Sequence, residues 1–238
     1  MHVALKKRLL GNAGSFRIGP FIENSKIKNV PESFLTENNI YQNTFESLTF
    51  AGAKAELSFD NVENPQFPNN GVRFNVNMSH TEQLLTSKRF NSLSVDLALY
   101  KALDSKENIV LATKAGSSHT FGNGYEFFQL PSIGGLNGLR AYRRDRFYGK
   151  NAFRHSTDLR CKINNRQFPN FPISFGVFGS FDYGRVWNES QSETWHYNYG
   201  GGAWLSPMNL MLINFGLHVP KEKFEESPRF TFSVGFDF

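Results

Sequence analysis

Hydrophobic and polar residues alternate along most of this chain with a period of two. The C-terminal segment shows it best. Phe230, Phe232, Val234, Phe236 and Phe238 fall on one side; Thr231, Ser233, Gly235 and Asp237 fall on the other. Segment 93–100 sets Leu93, Val95, Leu97 and Leu99 against Ser94, Asp96, Ala98 and Tyr100. Segment 72–79 sets Val72, Phe74, Val76 and Met78 against Arg73, Asn75, Asn77 and Ser79. Successive side chains of a strand point to opposite faces, whereas a helix repeats every 3.6 residues, so the pattern predicts strands. Eleven are expected: about 2–9, 15–23, 45–59, 71–80, 91–103, 108–118, 152–164, 173–187, 195–206, 210–219 and 229–238. In the third, Leu48 and Phe50 have one parity and Leu57 and Phe59 the other, which predicts a β-bulge. Helices have little support, because glycines and β-formers interrupt every candidate. No shift in composition marks a second domain, so residues 1–238 read as a single region.

Composition narrows the choice. The 238 residues include 25 Phe, 8 Tyr and 3 Trp, only 20% are charged, and the net charge is +5. So aromatic a chain is not a disordered acidic or basic tail. The lone Cys161 excludes an intrachain disulfide scaffold and a CxxC zinc site. The longest apolar run, 210–219, is broken by Asn214 and Gly216 and falls far short of the roughly 18 residues of a membrane-spanning helix. Two all-β architectures remain: a soluble sandwich with its apolar faces packed together, or a transmembrane β-barrel with those faces toward lipid. The polar faces carry Thr, Ser, Gly, Asn and Tyr with clustered Arg and Asp, which suits a water-filled lumen. Trp187, Trp195, Tyr197 and Phe238 end the apolar faces as interfacial girdles do. The pattern favours the barrel and leaves the sandwich as the alternative.

Connection lengths point the same way. With the C-terminus on the periplasmic side, the outer connections are about 24–44, 81–90, 119–151, 188–194 and 220–228. The inner ones are about 10–14, 60–70, 104–107, 165–172 and 207–209, and both of the longest loops are therefore outer ones. The 60–70 connection is long for an inner turn. Bacterial barrels of one chain usually have an even strand number. An odd count, with no secretory signal in the opening MHVALKKRLLGNAG, leads to the expectation that upstream strands lie outside this sequence.

Candidate chemistry is concentrated in the 119–151 loop. Gly134-Gly135 is followed by Leu139-Arg140-Ala141-Tyr142 and a basic run of Arg143, Arg144 and Arg146. Two strands on, Phe181-Asp182-Tyr183-Gly184 sits within a strand, and parity puts Asp182 on the polar face with Ser174, Gly176 and Ser180. If the loop folds into the barrel, Arg140 can make a charge-assisted, bidentate contact with Asp182. Gly179 and Gly184 would admit the loop close to the wall. On this pairwise reading, alanine at 140 and alanine at 182 should cost alike. Arg154, Asp158 and Arg160, inward-facing by parity, either extend the network or line water. LRAYRRDR alone reads first as a solvated basic surface loop.

With GG…LRAY in a long loop, FDYG on a strand and a terminal aromatic strand, the sequence resembles the barrel of the outer-membrane protein insertase and two-partner-secretion transporter superfamily. This is the bacterial surface antigen group that includes BamA- and TamA-like proteins. The resemblance is strongest over 119–238. It implies the last eleven strands of a sixteen-stranded barrel, an incomplete barrel, with no POTRA domain within the chain. It implies a sixth outer loop that enters the lumen, whose arginine, here Arg140, contacts the strand aspartate, here Asp182. Gly134, Gly135, Leu139, Ala141 and Tyr142 match the loop motif, with Ala141 where the family usually has Gly; Phe181 and Gly184 match the strand motif. Phe236 and Phe238 match the C-terminal barrel signal.

The resemblance further implies location in the bacterial outer membrane and assembly, insertion or translocation of proteins without enzymatic chemistry. Implied partners are outer-membrane lipid, client or secreted proteins, and periplasmic domains or lipoproteins. No cofactor is implied. His155 and His218 have no partner at metal-ligand spacing. Ser156 and Asp158 lack a triad context. The basic charge clusters at the lumen rather than on a nucleic-acid-binding face. Two further readings remain: a barrel that serves as anchor or pore for an upstream enzymatic or binding domain, and a soluble β-sandwich binding module.

Overall fold

The computed structural model describes residues 4–11, 13–26, 47–65, 67–135, 137–168, 171–188, 194–207, 212–221 and 227–234. Eleven strands form one antiparallel sheet: β1 (Leu5–Leu9), β2 (Gly14–Lys26), β3 (Ser47–Val62), β4 (Gly71–Gln83), β5 (Arg89–Ala102), β6 (Ile109–Gly122), β9 (Asn151–Phe168), β10 (Phe171–Trp187), β11 (His196–Pro207), β12 (Ile213–Pro220) and β13 (Arg229–Val234). Each pairs with the next in this order, so the topology is a pure meander. Two short strands, β7 (Ser132–Ile133) and β8 (Phe147–Tyr148), pair with each other inside the β6–β9 connection. Among the described residues β1 and β13 do not pair, so the sheet is not closed on itself. Phe236 and Phe238 lie outside the described residues.

The alternation sorts the two faces of the sheet. Met78, Leu97, Leu99, Val177, Phe215, Leu217, Phe230, Phe232 and Val234 are all exposed on one face. No second sheet covers that face among the described residues. A sandwich would bury it, so the sandwich reading is excluded; a bilayer solvates such a face. An aromatic belt runs over its outer end. Phe153, Tyr183 and Trp195 pack together with ring centroids 5.8–6.0 Å apart, and Trp187 and Tyr197 extend the cluster.

The opposite face holds the buried polar residues, among them Asp158, Arg160, Asp182, Asn198 and His218. It also holds the packed clusters: loop residues against Ala152 and Val186 at the outer end, and Phe178, Trp204 and Leu212 further in.

The expected bulge in β3 is not there. Its pairing with both β2 and β4 is continuous. The apolar stripe changes face for another reason: Leu48 and Phe50 point inward, where Phe50 meets Phe128 of the long loop edge-on at 6.2 Å, while Leu57 points outward. The register shift lies instead between Phe175 and Gly176 of β10, against β9.

Candidate functional site

The β6–β9 connection leaves the outer end of the sheet and turns back inside it. Its first turn is a single 3-10 turn, Phe127–Gln129, closed by reciprocal Glu126–Gln129 capping contacts. The β7–β8 ribbon follows, pinned by Ser132 Oγ donating to Asp145 at 2.6 Å and Asn137 Nδ2 donating to the Ser132 carbonyl at 2.7 Å. Gly134 and Gly135 adopt φ of 132° and 64°, left-handed values that ordinary residues avoid, and reverse the chain toward the tip.

The tip is apolar on one side and cationic on the other. Leu139, Ala141 and Tyr142 are buried with Ile133 against Ala152 of β9 and Val186 of β10. Ala141 has no left-handed φ, and its methyl group fills part of that cluster, so alanine fits the tip without strain. Tyr142 donates its hydroxyl to the Tyr197 carbonyl of β11 at 3.1 Å. Ser156 of β9 donates to the Gly138 carbonyl at 3.3 Å.

Arg140 is the centre of the contact. Its Nε donates to Asp182 Oδ2 at 2.9 Å, its Nη2 to Asp182 Oδ1 at 2.5 Å, and its backbone N–H to Oδ2 at 3.2 Å. The same Nη2 reaches Asp158 Oδ1 at 2.7 Å, and Nη1 reaches Asp158 Oδ2 at 3.2 Å. One guanidinium therefore clamps two carboxylates from neighbouring strands, both fully buried. Burial alone would favour the neutral guanidine, but the two carboxylates outweigh it and raise the Arg140 pKa above its ordinary value. Asn198 of β11 donates to Asp182 at 2.8 Å, from the position directly opposite in register.

A second ion pair lies beside the clamp. Arg154 Nη2 contacts Asp96 of β5 at 2.5 Å, passing across β6 at Gly116. A side chain there would collide: a Cβ on Gly116 would stand 2.5 Å from Asp96 Oδ1 and 2.8 Å from Arg154 Nε.

The expected residues thus divide. Arg140, Asp182 and Asp158 meet directly; Arg154 pairs with Asp96; Arg160 is buried further in, over the rings of Phe67 and Tyr100. Gly184 underlies the loop, since a Cβ there would meet Ile133 Cδ1 at 3.1 Å. Gly179 does not: it faces open space on the outer side, because its parity is opposite to that of Asp182. Phe181 also points outward and belongs to the aromatic belt with Tyr183 and Tyr197. Arg143, Arg144 and Arg146 are exposed at the rim. Between the loop and β13 lies a cavity of about 600 Å³, with Arg140, Arg144, Arg229 and Thr231 on its walls.

Asp158 as a full partner of Arg140, Asn198 as a support and Asp96 as an acceptor were not singled out from sequence as partners. Strand parity placed Asp96 and Asp158 on the polar face, but pairing across strands needs the register.

The Omp85 superfamily domain matches residues 9–238 of this sequence. No curated protein matches it. Among solved structures, the crystal structure of BamA from Haemophilus ducreyi lacking POTRA domains 1-3 superposes with a TM-score of 0.69 at 18% identity. The match covers 98% of this chain and 53% of that one, so the chain spans about half the length of that structure.

Proposed function

The chain belongs to the Omp85 superfamily of bacterial outer-membrane β-barrels, and from that premise we propose that it forms the working wall of a protein insertase or transporter. It receives client strands at an open sheet edge and carries out no covalent chemistry on them. The observation that carries this reading is the Arg140 clamp. It holds a long outer loop inside the curved sheet, bound to β9 and β10. A loop so placed obstructs a simple central pore and leaves the sheet edge as the route for a polypeptide. On this reading β13, which pairs with β12, supplies one side of a weakly paired seam between the first and last strands of the barrel. Where such a seam opens, its unpaired N–H and C=O groups can add an incoming strand. Lipid and client proteins are the partners on this reading, with periplasmic domains or lipoproteins delivering the clients.

The test is photo-cross-linking in living cells from residues 230 and 231 on β13. Adducts with newly made outer-membrane or secreted proteins are expected. A folded, membrane-resident protein that gives no such adducts would instead support a barrel that anchors another domain.

A further inference from the structure

The inner end of the sheet carries a second closure. β3 and β4 are joined by residues 63–70, longer than the two to five residues of an ordinary hairpin. The extra length goes inward. The Phe67 ring packs against Trp204 of β11 in a tilted arrangement, with centroids 4.8 Å apart and planes at 44°, in the cluster of Phe178, Trp204 and Leu212. The Arg160 guanidinium of β9 lies 5.8 Å from the same ring. In the sheet, β4 and β11 are separated by β5, β6, β9 and β10. With strands about 4.8 Å apart, five such steps put the two walls far out of reach along the sheet. Phe67 reaches Trp204 only by crossing the interior.

The segment is held at its base by polar contacts. Asn69 and Asn70 donate to the Glu107 carboxylate of the β5–β6 turn at 2.9 and 3.0 Å. Arg73 donates to the Pro65 carbonyl at 2.7 Å. Among the described residues the seat is not fully satisfied, because the Trp204 indole N–H is buried without a hydrogen-bond partner there. Withdrawal of Phe67 would give that N–H to water, which lowers the cost of opening. Such a contact is built to release as well as to hold.

We propose that the described residues of the β3–β4 connection, 63–65 and 67–70, form a strap that gates the inner mouth of the lumen, with Phe67 as its latch in the Trp204–Phe178–Arg160 seat. On the inward face of β10, Phe178 belongs to this seat, Asp182 to the outer clamp, and Ser180 lies between them. Ser180, whose hydroxyl is buried, thus lies in the interior between the strap and the clamp. The inference rests on the barrel reading and is independent of whether β13 receives clients.

The experiment uses the membrane-embedded protein with Cys161, which lies on the outward face of β9, replaced by Ser, and with Ser180→Cys as reporter. A small charged maleimide is applied to isolated outer membranes, and resistance to unfolding by detergent without heating verifies the barrel separately. Slow labelling is expected in the parent. Phe67→Ala should accelerate it by at least about tenfold, since it removes the latch's packing, while Phe67→Leu should leave it slow. Asn70→Ala, at the half-buried base, removes the contact with Glu107, should accelerate it as well and carries the comparison if Phe67→Ala does not fold. Rapid labelling in the parent, or rates unchanged in the folded variants, would overturn the proposal.

Discussion

Replacing Arg140 by Ala should cost more than replacing either of its carboxylate partners. Asp158 Oδ1 and Asp182 Oδ1 lie 2.7 and 2.5 Å from one guanidinium nitrogen, so they are within about 5 Å of each other. At an effective dielectric of about 20, two like charges at that separation repel by roughly 3 kcal/mol once the cation is gone. Water entering the vacated space relaxes part of this, and Asn198 and Arg160 retain some compensation. Removing one member of a buried pair typically costs about 3–5 kcal/mol, and Arg140→Ala should fall in that range. Asp182→Ala leaves Arg140 bound to Asp158 and should cost about 1–3 kcal/mol; Asp158→Ala is its counterpart. This replaces the equal costs expected from a simple pair. The assay is the denaturant midpoint of the folded barrel in lipid, for the three single variants and the Arg140→Ala/Asp182→Ala double variant. The double variant should be milder than the sum of its parts by at least about 0.5 kcal/mol. Equal single-variant costs with strict additivity would refute the clamp.

Other expectations follow from the same geometry. Gly116→Val should separate Arg154 from Asp96 and lower the thermal midpoint as much as Arg154→Ala does; a larger loss in the glycine variant that persists in the Arg154→Ala background would point to backbone damage instead. Tyr142→Phe removes one hydrogen bond to the Tyr197 carbonyl and should cost about 1 kcal/mol by denaturant titration. Leu97→Arg, on the outward face, should destabilise the barrel in lipid by roughly 2–4 kcal/mol. Asn77→Arg, on the inward face, should change stability by less than about 0.5 kcal/mol, as exposed substitutions do; the reverse order would mean that the faces are inverted.

Much of the fold was legible because a period of two survives wherever one face meets lipid and the other meets water. Phe230, Phe232 and Val234 announce their strand without any tertiary information. The same rule misled at β3, where Leu48 and Phe50 turn inward and Phe50 packs against Phe128 of the long loop. A local pattern cannot show that a distant segment packs there. Arg140 and Asp182 were legible as a pair because a loop cation and an inward carboxylate need each other in a low-dielectric interior. The second carboxylate, Asp158, was visible only as an inward position, since its place beside Asp182 depends on the β9–β10 register and its shift at Phe175. Phe67 could not be paired with Trp204 at all, because crossing a lumen leaves no periodic trace. The length of the 60–70 connection was its only sign.

An arginine at the tip of an infolded loop grips two carboxylates inside a lipid-facing barrel wall. A side-chain-resolution cryo-electron microscopy map of the protein in lipid nanodiscs tests it most directly. Density should join the Arg140 guanidinium to both Asp182 and Asp158, with Phe230 and Phe232 against lipid. A map with the loop outside the lumen, or with those rings packed on a second sheet, would contradict it.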